Sequence, residues 1–201
     1  MKRQITMIAD DVFTTLANGT TSLRDRALAL VLAESGLSLG EIAGLQRTSI
    51  TSRCYVGADG IVQVFGRGQT HVPKWSGRTR DFLVGPLAMA ALDAYLTTVP
   101  SDDNRAPMFH SIKGRRLDSR AVGNIVRKLI GGLGLAPIPA SGFRHSLALR
   151  CVHAGLSTEV VKKLLGYSST SRFENHVLLT QDAILREYFL VIGSFPWYRK
   201  S

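Results

Sequence analysis

Apolar positions along the chain first recur at helical spacing. Leu23, Ala27, Leu28, Leu30 and Val31 mark a helix over residues 24–33, with Ser22 placed to cap its start and Gly36 to stop its end. A shorter helix is expected over 8–16, before the turn at Asn18-Gly19, and a third over 39–45. The period then changes. Cys54-Tyr55-Val56 and residues 61–65 read as strands joined by a turn at 57–60. Gly66-Arg67-Gly68 reads as the break that ends the second strand, and 70–73 as a short third one. From 81 to 98 the pattern is helical again, with Pro86 in the first turn, where its missing N–H does least harm. Met108-Phe109 reads as a brief extended segment, followed by the basic loop Lys113-Gly114-Arg115-Arg116. Helices are expected over 119–130, 141–154, 158–165 (capped by Ser157, stopped by Gly166) and 181–192. The pattern predicts a mainly α fold with a small three-stranded antiparallel sheet, in a single domain spanning 1–201. The apolar run 188–192 reads most simply as a core-packing helix. With Phe195 and Trp197 beside it, segment 181–201 is also expected to mediate self-association.

Composition narrows the function. Apolar residues make up 45% of the 201 and charged residues 20%, which supports a packed core and excludes wholesale disorder. No apolar run reaches the ~18 residues of a spanning helix, and Asp10 and Asp11 come too early for a signal-peptide core. Lys and Arg number 25 against 15 Asp and Glu, a formal charge of +10. Such a field attracts polyanions. Double-stranded DNA is the expected partner; a membrane surface would call for a Lys/Arg-rich amphipathic helix, and none stands out. Cys54 and Cys151 stand in no metal-ligand spacing, and both read as buried thiols of a cytoplasmic protein.

Three segments, in order, resemble the catalytic domain of the tyrosine recombinases, the phage-integrase family. Residues 24–50, RDRALALVLAESGLSLGEIAGLQRTSI, look like the opening helices and their arginine box. Residues 62–75, VQVFGRGQTHVPKW, resemble the hairpin that bears a lysine. Residues 140–169, ASGFRHSLALRCVHAGLSTEVVKKLLGYSS, resemble the box with His-x-x-Arg and the later Leu-Leu-Gly-His. The resemblance implies a recombinase-like fold on DNA, without the separate N-terminal clamp domain and without a metal or cofactor. It also implies a tyrosine that attacks the scissile phosphate, two arginines whose planar forks hold the phosphate oxygens, a lysine that protonates the leaving oxygen, and an acid behind the first arginine.

The departures from that pattern are informative. Ser38 stands where the first arginine belongs, and its supporting acid persists as Glu41, without the expected partner. The hairpin lysine aligns with Arg67, a poor proton donor to an alkoxide because its pKa exceeds about 12; Lys74 is an alternative. Ser141 replaces the histidine of His-x-x-Arg, while Arg144 and its neighbour His145 are kept. Tyr167 replaces the histidine of Leu-Leu-Gly-His. The nucleophile register falls on Phe173, Glu174 or His176, none of them tyrosine. Residues that act as one catalytic unit fail together, so the expectation is a DNA-binding regulator or accessory factor, nucleoid-associated, that makes no cut. Arg67, Lys74, Lys113, Arg115, Arg116, Arg120, Arg127, Arg144 and His145 are its candidate DNA contacts, with Lys128 beside Arg127. Two alternatives stand. One is an active recombinase with a displaced nucleophile, or one supplied by a partner. The other is a helix-turn-helix regulator, read from residues 37–53.

Overall fold

The structure, a computed structural model, describes residues 8–19, 22–56, 62–71 and 79–166, with Tyr188, Val191 and Ile192. Within them run helices α1 (Asp10–Asn18), α2 (Leu23–Ser35) and α3 (Leu39–Gly44), then a 3-10 turn at Arg47–Ser49. Strands β1 (Ile50–Val56), β2 (Val62–His71) and β3 (Thr79–Val84) follow. Helices α4 (Pro86–Leu96), α5 (Ser119–Gly132), α6 (Ala140–His153) and α7 (Thr158–Leu165) complete the order.

Helix α2 is the centre of the core, buried at every residue from Ala27 to Ser35. The Ala-Leu-Ala-Leu-Val-Leu-Ala run is apolar on all sides, and such a helix belongs inside. The Ser22 hydroxyl caps its start by accepting from the Asp25 N–H, and Gly36 ends it in the left-handed region at φ 58°. A Cβ at Gly36 would also stand 2.5 Å from Leu165 Cδ2, so glycine serves both the turn and the packing of α7. Helices α1, α4, α5 and α6 and strand β3 all touch α2. The buried Glu34 accepts from the Ala88 N–H (3.1 Å) at the start of α4, where a carboxylate meets the positive end of the helix.

The sheet has the order β1-β2-β3, both pairings antiparallel, with Arg67 opposite Thr51 on one side and Leu83 on the other. Three antiparallel strands are as expected, but two boundaries differ. Strand β2 runs straight through Gly66-Arg67-Gly68, and the third strand is Thr79–Val84 rather than 70–73. The two glycines permit close approach instead of ending the strand. A Cβ at Gly66 would stand 2.5 Å from both Met89 Sδ and Ile50 Cγ2, and one at Gly68 would collide with the Phe82 ring and the Ser49 carbonyl. The helix expected from 81 begins only at Pro86, after Phe82, Leu83 and Val84 have been buried as strand. A short apolar run of this kind fits either period; the proline sets the boundary by biasing Gly85 to an extended conformation.

Two other expectations are corrected. The helix-turn-helix reading needs a second helix after α3, and the chain instead makes one 3-10 turn and enters β1. Cys54 is exposed on β1; only Cys151 is buried, and burial pushes its thiol up to about 12. Tyr188, Val191 and Ile192 sit in this chain's own core, and the Tyr188 hydroxyl donates to the Glu34 carbonyl (3.3 Å). The rest of 181–201 lies outside the described residues. Among the described residues no helix is long and apolar enough to cross a membrane.

Candidate nucleic-acid interface

The site is organised around one buried carboxylate. Helix α3 opens with a capping box: the Ser38 hydroxyl accepts from the Glu41 N–H (3.3 Å), and Glu41 Oε2 accepts from the Ser38 N–H (2.7 Å). The serine at the expected arginine position therefore starts a helix. Glu41 is only 2% exposed, and a buried anion is costly unless it is paired. Two arginines pair it. Arg80 of β3 donates from Nε to Oε1 (2.5 Å) and from Nη2 to Oε2 (3.2 Å). Arg144 of α6 donates from Nη2 to Oε2 (2.5 Å). Burial by itself would raise the Glu41 pKa. The hydrogen bond and charge of Arg80, with the Ser38 N–H and hydroxyl, outweigh burial and hold it below the ordinary glutamate value. Glu41 is thus not left without a partner: Arg80 and Arg144 together supply its counter-charge.

Arg80 is the residue that the motif comparison misses. A signal for it was available, because a retained Glu41 beside a serine leaves an anion in need of a cation. Its side chain is 8% exposed, and its Nη1 donates to the Leu164 carbonyl (3.0 Å), so its whole fork faces protein. Arg144 differs. Its Nε donates to the Gly36 carbonyl (2.5 Å), but the side chain is 22% exposed, and among the described residues Nη1 has no hydrogen-bond partner. One N–H edge of a firmly held guanidinium is left to meet an anion.

The remaining basic candidates fall on two surfaces. Arg67 lies mid-strand in β2 rather than in a loop, half-buried, with Nη2 3.6 Å from Asp81 Oδ2. It borders an open polar hollow of about 230 Å³ with Thr51, Arg53 and Gln69. On the second surface, Lys113, Arg115 and Arg116 are exposed in the turn before α5. Arg116 Nη1 reaches the Ala43 carbonyl (3.2 Å) at the end of α3. Asp118 caps α5 by accepting from the Ala121 N–H (2.7 Å). Val122, Val126 and Ile130 turn into the core, which leaves Arg120 and Arg127 exposed on an outer stripe and Lys128 beside them. Arg127 also lines a groove of about 490 Å³ shared with Leu39 and with residues 137–140, where α6 begins one turn before Arg144. Arg127 therefore borders the start of α6, whose N-terminus adds its own partial positive charge. Ser141 is exposed in the first turn of α6, and His145 is half-buried on the same helix. Lys74, Tyr167, Phe173, Glu174 and His176 lie outside the described residues.

Residues 7–177 match the phage integrase family. Tyrosine recombinase XerC of Rhodospirillum centenum is 33% identical over 168 residues, which is 83% of this chain and 46% of that protein. XerC of Pseudomonas fluorescens is 34% identical over 164 residues, 77% of this chain and 48% of that protein. The chain spans about half the length of these relatives. Among solved structures, XerA recombinase superposes with a TM-score of 0.65 at 19% identity, covering 94% of this chain and 65% of that one. XerH bound to a palindromic difH substrate gives 0.63 at 17% identity, covering 82% of this chain and 47% of that one.

Proposed function

The chain belongs to the phage integrase family, and from that premise we propose that it binds duplex DNA and makes no cut by the tyrosine mechanism, acting as a regulator or accessory factor. The observation that carries this reading is the fate of the arginine box. Ser38 is spent on capping α3, and Arg80 is turned inward on Glu41 and the Leu164 carbonyl. A phosphate at this place meets one guanidinium edge, that of Arg144, in place of two opposed forks. Loss of a single charge-stabilising donor typically lowers a rate ~100-fold or more. Affinity is a separate matter. Phosphate contacts need only position and positive charge, and Lys113, Arg115, Arg120 and Arg127 are exposed on α5 and the turn before it. The support from relatives is that XerH, which shares the fold, is seen bound to its difH substrate.

Fluorescence anisotropy of a labelled duplex, titrated at several salt concentrations, tests the binding. With four to six phosphates neutralised, log K falls against log salt with a slope of about −4 to −5. No binding in dilute buffer overturns the proposal.

A further inference from the structure

The turn before α5 carries one residue that its charge does not explain. Ile112 is 98% exposed, well above any other large apolar residue among those described. It sits at the apex of a closed turn. His110 bridges Arg116, the Ser111 N–H donates to the Arg115 carbonyl (2.8 Å), and the Gly114 N–H donates back to Ser111 (2.9 Å) with Gly114 at φ 73°. The base of the turn is tied from three elements. Arg24 of α2 donates to the His110 carbonyl (3.0 Å), the His110 N–H donates to the Tyr95 hydroxyl of α4 (3.3 Å), and Arg116 donates to the end of α3. The apex is thus held out rigidly, with an isoleucine at the tip and the cations Lys113 and Arg115 on its flank.

Proteins that enter the minor groove combine Lys or Arg contacts with an apolar wedge: an Ile, Leu, Met or Phe inserts between base steps and kinks the duplex by ~20–90°. We propose that Ile112 is such a wedge and that this protein bends the duplex it binds. The inference rests on the DNA-binding reading above and adds a mode to it. Binding through phosphates alone would leave Ile112 in water; insertion buries it against bases.

Ligase-mediated ring closure of a linear fragment of about 150 bp, the persistence length of DNA, reads the bend directly, and anisotropy on the same duplex reads the binding. The full chain is expected to raise the ring-closure rate about 10-fold or more, in keeping with a kink of this size. Ile112→Ser is expected to abolish that rise while its affinity changes less than about three-fold, since the phosphate contacts remain. At 98% exposure the side chain is buried by none of the described residues, so the variant is expected to fold as the parent does. A parent that binds without promoting ring closure, or an Ile112→Ser variant that closes rings as well as the parent, overturns the wedge and leaves the binding intact. A parent that binds no duplex at any salt overturns the binding reading itself.

Discussion

Replacing Glu41 by alanine is expected to destabilise the fold by roughly 3–5 kcal/mol, the usual cost of stranding buried charge. Glu41 is the only carboxylate within hydrogen-bond reach of either Arg80 or Arg144 among the described residues, and three segments distant in sequence meet through it: α3, β3 and α6. Removing it leaves the 8%-exposed Arg80 guanidinium with the Leu164 carbonyl and no counter-charge. It also releases one side of the α3 capping box. Glu41→Gln keeps the shape and loses the charge, so its unfolding free energy in urea should fall by a similar but smaller amount. The pH dependence has a definite sign. The Glu41 pKa is lower in the folded chain than in the unfolded one. Its contribution is therefore complete above the unfolded value and is lost as the pH falls through the folded one, on the acid side of the ordinary glutamate range. Urea unfolding of the parent should weaken there more steeply than that of Glu41→Gln. Equal steepness would show that the cluster contributes no linkage.

Changing Lys113, Arg115, Arg120 and Arg127 together to alanine is expected to weaken duplex binding on the order of 10³-fold near 0.15 M salt. This follows from four phosphate contacts at about 0.9 of a counterion each. All four side chains are exposed, so the melting temperature should stay that of the parent. The salt slope should shrink by about 3–4, which separates lost contacts from a general loss of folded protein. Arg144→Ala acts differently, because that side chain also holds Glu41 and the Gly36 carbonyl. Its effect on binding must be read beside its effect on stability.

The helices were legible in the sequence because their punctuation is local. Ser22 and Ser157 cap, Gly36 and Gly166 stop in the left-handed region, and Pro86 opens α4. The sheet was less legible because the meaning of its glycines is tertiary. Gly66 and Gly68 look like a break until Met89 and Phe82 are seen against them. The site divides the same way. The motif comparison finds Ser38, Glu41 and Arg144, but what Ser38 does is set by its capping geometry. Arg80 has no motif of its own and is found only through the charge that Glu41 requires. Arg67 keeps its aligned position, yet strand pairing places it beside Asp81, which sequence spacing does not reveal.

The central claim is that a basic recombinase-family surface binds DNA while its cutting machinery is gone. One mixture tests it: purified protein with a nicked duplex that traps any covalent intermediate, divided between a native and a denaturing gel. The account predicts a retarded band on the native gel and free DNA on the denaturing one. A protein–DNA adduct that survives denaturation would contradict it.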